Sequence, residues 1–328
     1  MLIVTGGAGF IGSNLLAGLE AHDMGPLIVV DTLGTGDKWR NIAKRSLHDV
    51  IEPRALPRFL EVHSASIAGI FHIGAVSDTT CTDADAIVES NIRCSLDLWD
   101  WCAAHRVPLI YASSAATYGD GSKGFHDAQT NEELAQLRPM NLYGWSKHLV
   151  DRKVLSIATA GGRTPPVWAG FKFFNVYGPN EYHKGAMRSV VLQVFEQIGR
   201  GEPARLFRSA HAEYADGGQL RDFVWVDDVV NAMIWIFKDG HQSGIFNLGS
   251  GKARSFADVA RAVFAALGKR PQIEFVDMPE ELKGRYQYFT EARMNRLQAA
   301  GWRRDATLLE DGVRQYVCDY LATTDRYV

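Results

Sequence analysis

Apolar residues along this chain come in short unbroken runs, separated by longer stretches in which they recur every three or four positions. Leu2–Val4, Leu27–Val30 and Pro108–Ala112 are unbroken, while Ile67–Ile73 and Val167–Phe173 each hold a single polar residue, His72 and Lys172. Runs of that length, apolar or nearly so, read as strands covered on both faces. Helical spacing fills the intervals, from Ile11 through Asn14, Leu15, Leu16 and Leu19, from Ala84 to His105, and from Asn141 to Ala160. Val50 to Leu60 holds Pro53 and Pro57 and predicts no regular structure. Strands that alternate with helices in this way predict an α/β fold with a doubly wound parallel Rossmann sheet. Ligands of such sheets bind beyond the carboxyl ends of the strands. Asp31, Gly74, Ser114 and Asn175 all fall at predicted strand ends and should meet in one crevice.

After Asn175 the alternation loosens. A loop from Val176 to Lys184 leads to a predicted helix, Ala186 to Ile198, and then to an alternating strand, Arg221 to Val226. Asp227 and Asp228 can cap the helix that follows, and Gly244 to Gly249 reads as strand and turn. This predicts a dinucleotide-binding domain over 1–173, with about 220–247 interleaved, and a smaller mixed α/β substrate domain over about 174–219 and 248–328.

Composition mainly excludes. Lys plus Arg number 35 against 38 Asp plus Glu, so no charge excess invites a nucleic acid or an anionic membrane. Cys81, Cys94, Cys102 and Cys318 form no Cys-x-x-Cys pair and no zinc spacing, so no metal site is expected. Their scarcity suits a reducing compartment. With no apolar run near the roughly 20 residues of a membrane span and no basic leader, the expectation is a cytoplasmic protein.

The candidate chemistry begins in the first dozen residues. Gly6, Gly9 and Gly12 lie three apart between the first strand and the first helix. The first glycine allows the tight turn, the second admits a pyrophosphate close to the backbone, and the third lets helix and strand pack. The helix start, Phe10-Ile11-Gly12, then offers N–H groups and a positive dipole end to phosphate. Asp31 closes the second strand roughly 20 residues on, where an acceptor for the adenosine ribose belongs. Thr32 and Lys38 flank it, and Gly74-Ala75 suits close backbone passage over a cofactor.

Tyr143 and Lys147 lie four apart on one helical face, about thirty residues past the strand that ends at Ser114. A tyrosine titrates near pH ~10, and a neighbouring lysine cation together with a cationic nicotinamide ring is expected to lower that value. Ser114 can orient a substrate oxygen. Tyr111 to Gly119, Asn141 to Lys147 and Phe174 to Pro179 resemble the extended short-chain dehydrogenases/reductases that act on nucleotide sugars. With His183-Lys184-Gly185-Ala186-Met187 and Leu282 to Gln287, the likeness narrows to the ADP-L-glycero-D-manno-heptose 6-epimerases and runs over essentially the whole chain.

That resemblance implies an isomerase of lipopolysaccharide heptose supply. Tyr143 and Lys184 would serve as acid/base groups on opposite faces of the sugar, with Ser114 and Lys147 beside them. C6 would be oxidised to a transient ketone, which would reorient and be reduced on its other face. The resemblance further assigns Ile73, Gly74, Ala75, Val76, Ser77, Asn91, Lys147 and Val176 to the cofactor. Asn175, Lys184, Ala186, Gln193, Phe207, Arg221 and Tyr286, with Ser114, fall to the ADP-sugar. It implies a homo-oligomer, with a pentamer as one form.

Departures are visible as well. The family has Ser where Ala186 stands and His where Gln193 stands, and Ala212 to Gln219 reads as an insertion before Arg221. The family implies NADP, whereas Asp31 alone favours NAD because a carboxylate repels a 2′-phosphate. Lys38 and Arg54 can offset that repulsion, so NADP is the expected cofactor and NAD the alternative. The rival functions are a UDP-sugar 4-epimerase and a non-catalytic dinucleotide sensor. A dehydratase would need an Asp-Glu pair where Ala115 and Ala116 follow Ser114.

Overall fold

β1 (Leu2–Thr5) is buried at all four positions, and so is β2 (Leu27–Val30), because helices cover the sheet on both faces. The computed structural model describes residues 1–127, 130–240, 242–280 and 287–328. Tyr286 and most of the Leu282–Gln287 motif lie outside the described residues. Seven parallel strands form the main sheet. They are β1, β2, β3 (Asp49–Ile51), β4 (Gly69–His72), β5 (Leu109–Ser114), β6 (Trp168–Phe173) and β10 (Gly244–Leu248), in the order β10-β6-β5-β4-β1-β2-β3. The order reverses at β1, so the crevice between β1 and β4 is the switch point at which such sheets bind dinucleotides.

On one face, Leu15, Leu16 and Leu19 of α1 (Phe10–Ala21) and Val230 and Met233 of α8 (Val226–Asp239) pack on Val4, Phe71 and Ile110. On the other, α4 (Cys94–His105) and α6 (Leu142–Thr159) bring Trp99 and Val150 onto Ile3, Ile70 and Leu109. Two smaller sheets stand outside this layer. One joins β7 (Asn175–Tyr177), β9 (Leu220–Trp225) and β11 (Ala253–Ser255); the other joins β8 (Ala204–Phe207) and β12 (Ile273–Val276). A third core gathers Tyr177, Ile198, Trp225, Val263 and Tyr316 around them.

Several expectations change. The stretch marked doubtful for its prolines contains the end of β3 and most of α2 (Leu56–His63), with Pro57 in the first turn. A proline is tolerated there because that N–H has no helical partner. The helix expected from Ala186 starts instead at Val190 as α7 (Val190–Gly199), capped by Ser189, since Gly185 breaks the preceding 3-10 turn, Tyr182–Met187. Asp227 and Asp228 do not cap α8. Asp227 accepts from the Trp225 indole, and Asp228 from both the backbone and hydroxyl of Thr307. The run over 84–105 is helical as expected, but it widens into a π turn, Val88–Arg93, that carries Asn91. All four cysteines are free, and among the described residues no helix is long and apolar enough to cross a membrane.

Candidate active site

The turn after β1 is built for close backbone approach. Gly6 has φ +67°, and a Cβ there would lie 2.6 Å from the Cα of Gly74. A Cβ on Gly12 would lie 2.1 Å from the Gly6 carbonyl oxygen. No side chain caps the start of α1, so its first N–H groups remain available to a phosphate. These features fit a dinucleotide: glycines where a side chain would collide, and an uncapped helix end at the switch point.

Asp31 stands just past β2 with both carboxylate oxygens occupied. Oδ2 accepts from the Ala8 backbone at 2.9 Å, while Oδ1 accepts from the Thr32 backbone at 2.7 Å and from Lys38 Nζ at 2.6 Å. Lys38 thus neutralises the carboxylate that would repel a 2′-phosphate. Arg54 pairs with Glu52 at 2.5 Å on the surface, both side chains well exposed.

The opposite wall is the segment after β4. Thr5 Oγ1 accepts from the Gly74 backbone at 3.1 Å and lies 2.7 Å from His72 Nδ1, and His72 Nε2 lies 2.9 Å from Ser95 Oγ. Burial, and then the charge of Lys147, push the His72 imidazole down to about 3, so it stays neutral and serves the network. Asn91 spends its amide on the Val76 backbone, at 2.8 and 3.0 Å, and on Ser146 Oγ at 3.0 Å. It therefore holds the 73–77 segment in place. Val76 is half-buried and Ser77 exposed.

Ser114 ends β5 and Tyr143 lies in the first turn of α6, whose N-cap is Asn141. Ser114 is placed to favour the ionised form of the Tyr143 phenol. One turn on, Lys147 is 2% exposed. Burial pulls its ammonium down to about 8, against an upward pull from Asp151. Burial also raises the Tyr143 phenol; the Ser114 hydrogen bond opposes that rise, and the charge of Asp151 adds to it. The expected lowering depends on Lys147 together with a cationic nicotinamide ring, and this rise is that of the protein without the ring. A positive charge beside the phenol would act against the desolvation that raises it.

Lys184 lies in the 3-10 turn Tyr182–Met187, with Nζ 5.3 Å from the centre of the Phe10 ring. The lysine therefore stands at the glycine-rich turn. Burial lowers its ammonium, and the buried carboxylate of Glu181 pulls it back up. Met187, in the same turn, reaches Thr79 beyond the 73–77 wall at 3.9 Å. Asn175 is exposed at the start of β7, at the carboxyl edge of the main sheet, and Val176 follows half-buried.

Ala186 and Gln193 line a cavity of about 270 Å³ with Arg188, Glu196 and Arg200, and Gln193 donates to the Arg188 carbonyl at 2.8 Å. Phe207 ends β8 and accepts from Gly217, so the 212–219 insertion folds back on that strand. Arg221 is 8% exposed, with its guanidinium 5.8 Å from the Phe256 ring. The adjacent Asp222 accepts from Ser250, Gly251 and Ala292.

Sequence reasoning passed over the His72 network and the buried pair Lys172–Asp151. The available signals were Asp151 one turn past Lys147 and a lysine inside an otherwise apolar strand.

The family model described as NAD dependent epimerase/dehydratase matches residues 2–249. ADP-L-glycero-D-manno-heptose-6-epimerase of Nitratidesulfovibrio vulgaris (strain Hildenborough) is 46% identical over 331 residues, covering all of both chains. The Fusobacterium nucleatum protein of the same name is 44% identical, also over all of both. Among solved structures, Helicobacter pylori ADP-L-glycero-D-manno-heptose-6-epimerase superposes with a TM-score of 0.79 at 30% identity, over 96% of this chain and 95% of that one. Thermus thermophilus UDP-glucose 4-epimerase, solved with NAD, gives 0.74 at 26%, over 96% and 97%. The chain belongs to the NAD dependent epimerase/dehydratase family, together with full-length relatives named ADP-L-glycero-D-manno-heptose-6-epimerase.

Proposed function

We propose that this protein inverts C6 of ADP-D-glycero-D-manno-heptose to give the L-glycero epimer, through a transient 6-keto sugar and with NADP as resident cofactor. The observation that carries the chemistry is the placing of Ser114, at the end of β5, beside Tyr143 in the first turn of α6, one turn from buried Lys147. The full-length likeness to proteins named for this reaction supports the substrate.

Gly6 to Gly12 and the start of α1 would hold the pyrophosphate, Asp31 and Lys38 the adenosine end, and Lys147 the nicotinamide ribose. When bound, the oxidised nicotinamide ring supplies a reversible hydride acceptor and a positive charge beside the phenol. Ser114 orients the C6 oxygen while Tyr143 takes and returns its proton. Lys184 would handle the proton when the ketone presents its other face, and Asn175, Arg221 and Tyr286 would grip the ADP-sugar. Arg221 suits a diphosphate because a guanidinium engages two oxygens at once. The reading includes two interleaved domains, a cytoplasmic location and a homo-oligomer.

The test is to incubate purified protein with ADP-D-glycero-D-manno-heptose and follow C6 by NMR, then release and identify the bound nucleotide. The L-glycero epimer without net NADPH supports the proposal. No inversion, with UDP-glucose or UDP-galactose inverted instead, replaces it with a 4-epimerase.

Cofactor choice has its own test. Lys38→Ala leaves Asp31 unneutralised where a 2′-phosphate would lie, so NADPH affinity should fall about tenfold while NADH affinity changes little. Fluorescence titration with both nucleotides reads this directly. Equal losses would show that Lys38 does not discriminate.

A further inference from the structure

Beneath the candidate catalytic residues lies a fully buried ion pair. Lys172 projects from β6 with its side chain completely enclosed, and its Nζ meets Asp151 Oδ2 at 2.7 Å and Thr117 Oγ1 at 2.6 Å. The two contacts lead to different parts of the site. Asp151 belongs to α6, two turns after Tyr143 and one after Lys147, on the same face. It also accepts from Ser113 Oγ at 2.7 Å and from the Tyr111 hydroxyl at 3.0 Å, which ties the helix to β5. Thr117 lies in the 3-10 turn after Ser114, and its hydroxyl donates to the Ser114 carbonyl at 2.8 Å. One ammonium therefore bridges the helix that carries Tyr143 and the turn that carries Ser114. The Tyr118 ring covers it at 5.1 Å.

A buried pair like this adds little net stability over an apolar replacement, because desolvation cancels much of the attraction. What it fixes is geometry: one donor with two partners on separate elements permits one spacing between them. We propose that Lys172 is a positioning residue for the reaction, setting the Ser114–Tyr143 spacing through Thr117 on one side and Asp151 on the other. Asp151 has a second effect, since its charge favours the protonated form of Lys147. The other titratable groups that interact with that ammonium are His72 from β4 and Cys94 from α4, and Tyr143 lies one turn before it on its own helix.

This inference rests on the acid/base reading of Ser114 and Tyr143 given above. Removing one partner alone would strand a buried charge, so the pair is removed together. Asp151→Leu with Lys172→Met should fold and retain NADPH binding. Its kcat for ADP-heptose inversion should fall roughly 10- to 100-fold at nearly unchanged KM. The alkaline fall of kcat should also move to lower pH, because Lys147 has lost the negative charge that holds its proton. Wild-type kcat and an unmoved profile would overturn the proposal.

Thr117→Val deletes only the hydroxyl that links Lys172 to Ser114, and it decides the matter if the double variant does not fold. It should lower kcat in the same sense, and it should raise the pH at which Tyr143 ionises, because the Ser114 hydrogen bond that favours the phenolate is weakened. That ionisation is read without substrate, as the ultraviolet titration difference between each protein and its Tyr143→Phe counterpart. If wild-type protein does not invert ADP-heptose, the functional reading fails while this titration still tests the positioning role. An unchanged Tyr143 titration in Thr117→Val would then refute it.

Discussion

Tyr143→Phe is expected to bind NADPH as wild type does and to invert the sugar slower by roughly two to four decades, the scale on which a positioned acid/base group contributes. Phe keeps the ring that packs in the first turn of α6, so the glycine turn, Asp31 and the 73–77 wall should be undisturbed. What disappears is the hydroxyl whose ionisation Ser114 favours. Burial already opposes its ionisation, so service as a base near neutral pH would require cations beside the phenol. Lys147, drawn down to about 8, keeps its proton below that pH and surrenders it above. Turnover in wild type should accordingly decline as pH rises through the alkaline range. NMR-monitored inversion and nucleotide titration on one preparation separate the two effects. Inversion at near-wild-type rate would remove Tyr143 from the mechanism.

The parts of this protein that could be read from sequence were those written in contiguous residues. The unbroken run Leu2–Val4 followed by glycines at 6, 9 and 12 announced both the first strand and the phosphate turn, because the steric demand on those glycines is local. Tyr143 and Lys147 were legible for the same reason, since helical spacing alone puts them on one face. Resemblance then attached substrate roles to Asn175, Lys184 and Arg221, which spacing could not have done.

What stayed hidden depends on partners distant in the chain. Lys172 looks like an interruption in an apolar strand until the parallel register sets β6 beside β5 and α6 over both, bringing Asp151 and Thr117 to it. His72 is similar, since its partners Thr5 and Ser95 lie 67 and 23 residues away. The misplacements near Pro57 and Ala186 were local, and they share a cause. Proline and glycine act by position within an element, and a single chain does not reveal whether a proline opens a helix or breaks one.

Lys184→Met should produce a loss comparable to that of Tyr143→Phe, but with a different signature. Methionine keeps an unbranched apolar side chain of similar length and removes the ammonium that stands over the Phe10 ring and whose charge Glu181 favours. The turn itself should persist. Tyr182 is held through its hydroxyl to the Arg326 carbonyl at 2.6 Å, and Asn180 through Ser13 and Val328. If Tyr143 and Lys184 each serve one face of the sugar, the variant retains one working base. Steady-state inversion then falls by roughly two to four decades. In a single turnover, however, one epimer should still reduce the bound nicotinamide at close to the normal rate while the other does not. Following nicotinamide absorbance after mixing with each epimer separately reads this asymmetry. The position of Lys184 at the glycine-rich turn gives the opposite outcome a physical meaning. Weaker NADP binding with undiminished turnover of the loaded enzyme would make Lys184 a phosphate contact, leaving Tyr143 to serve both faces of the sugar.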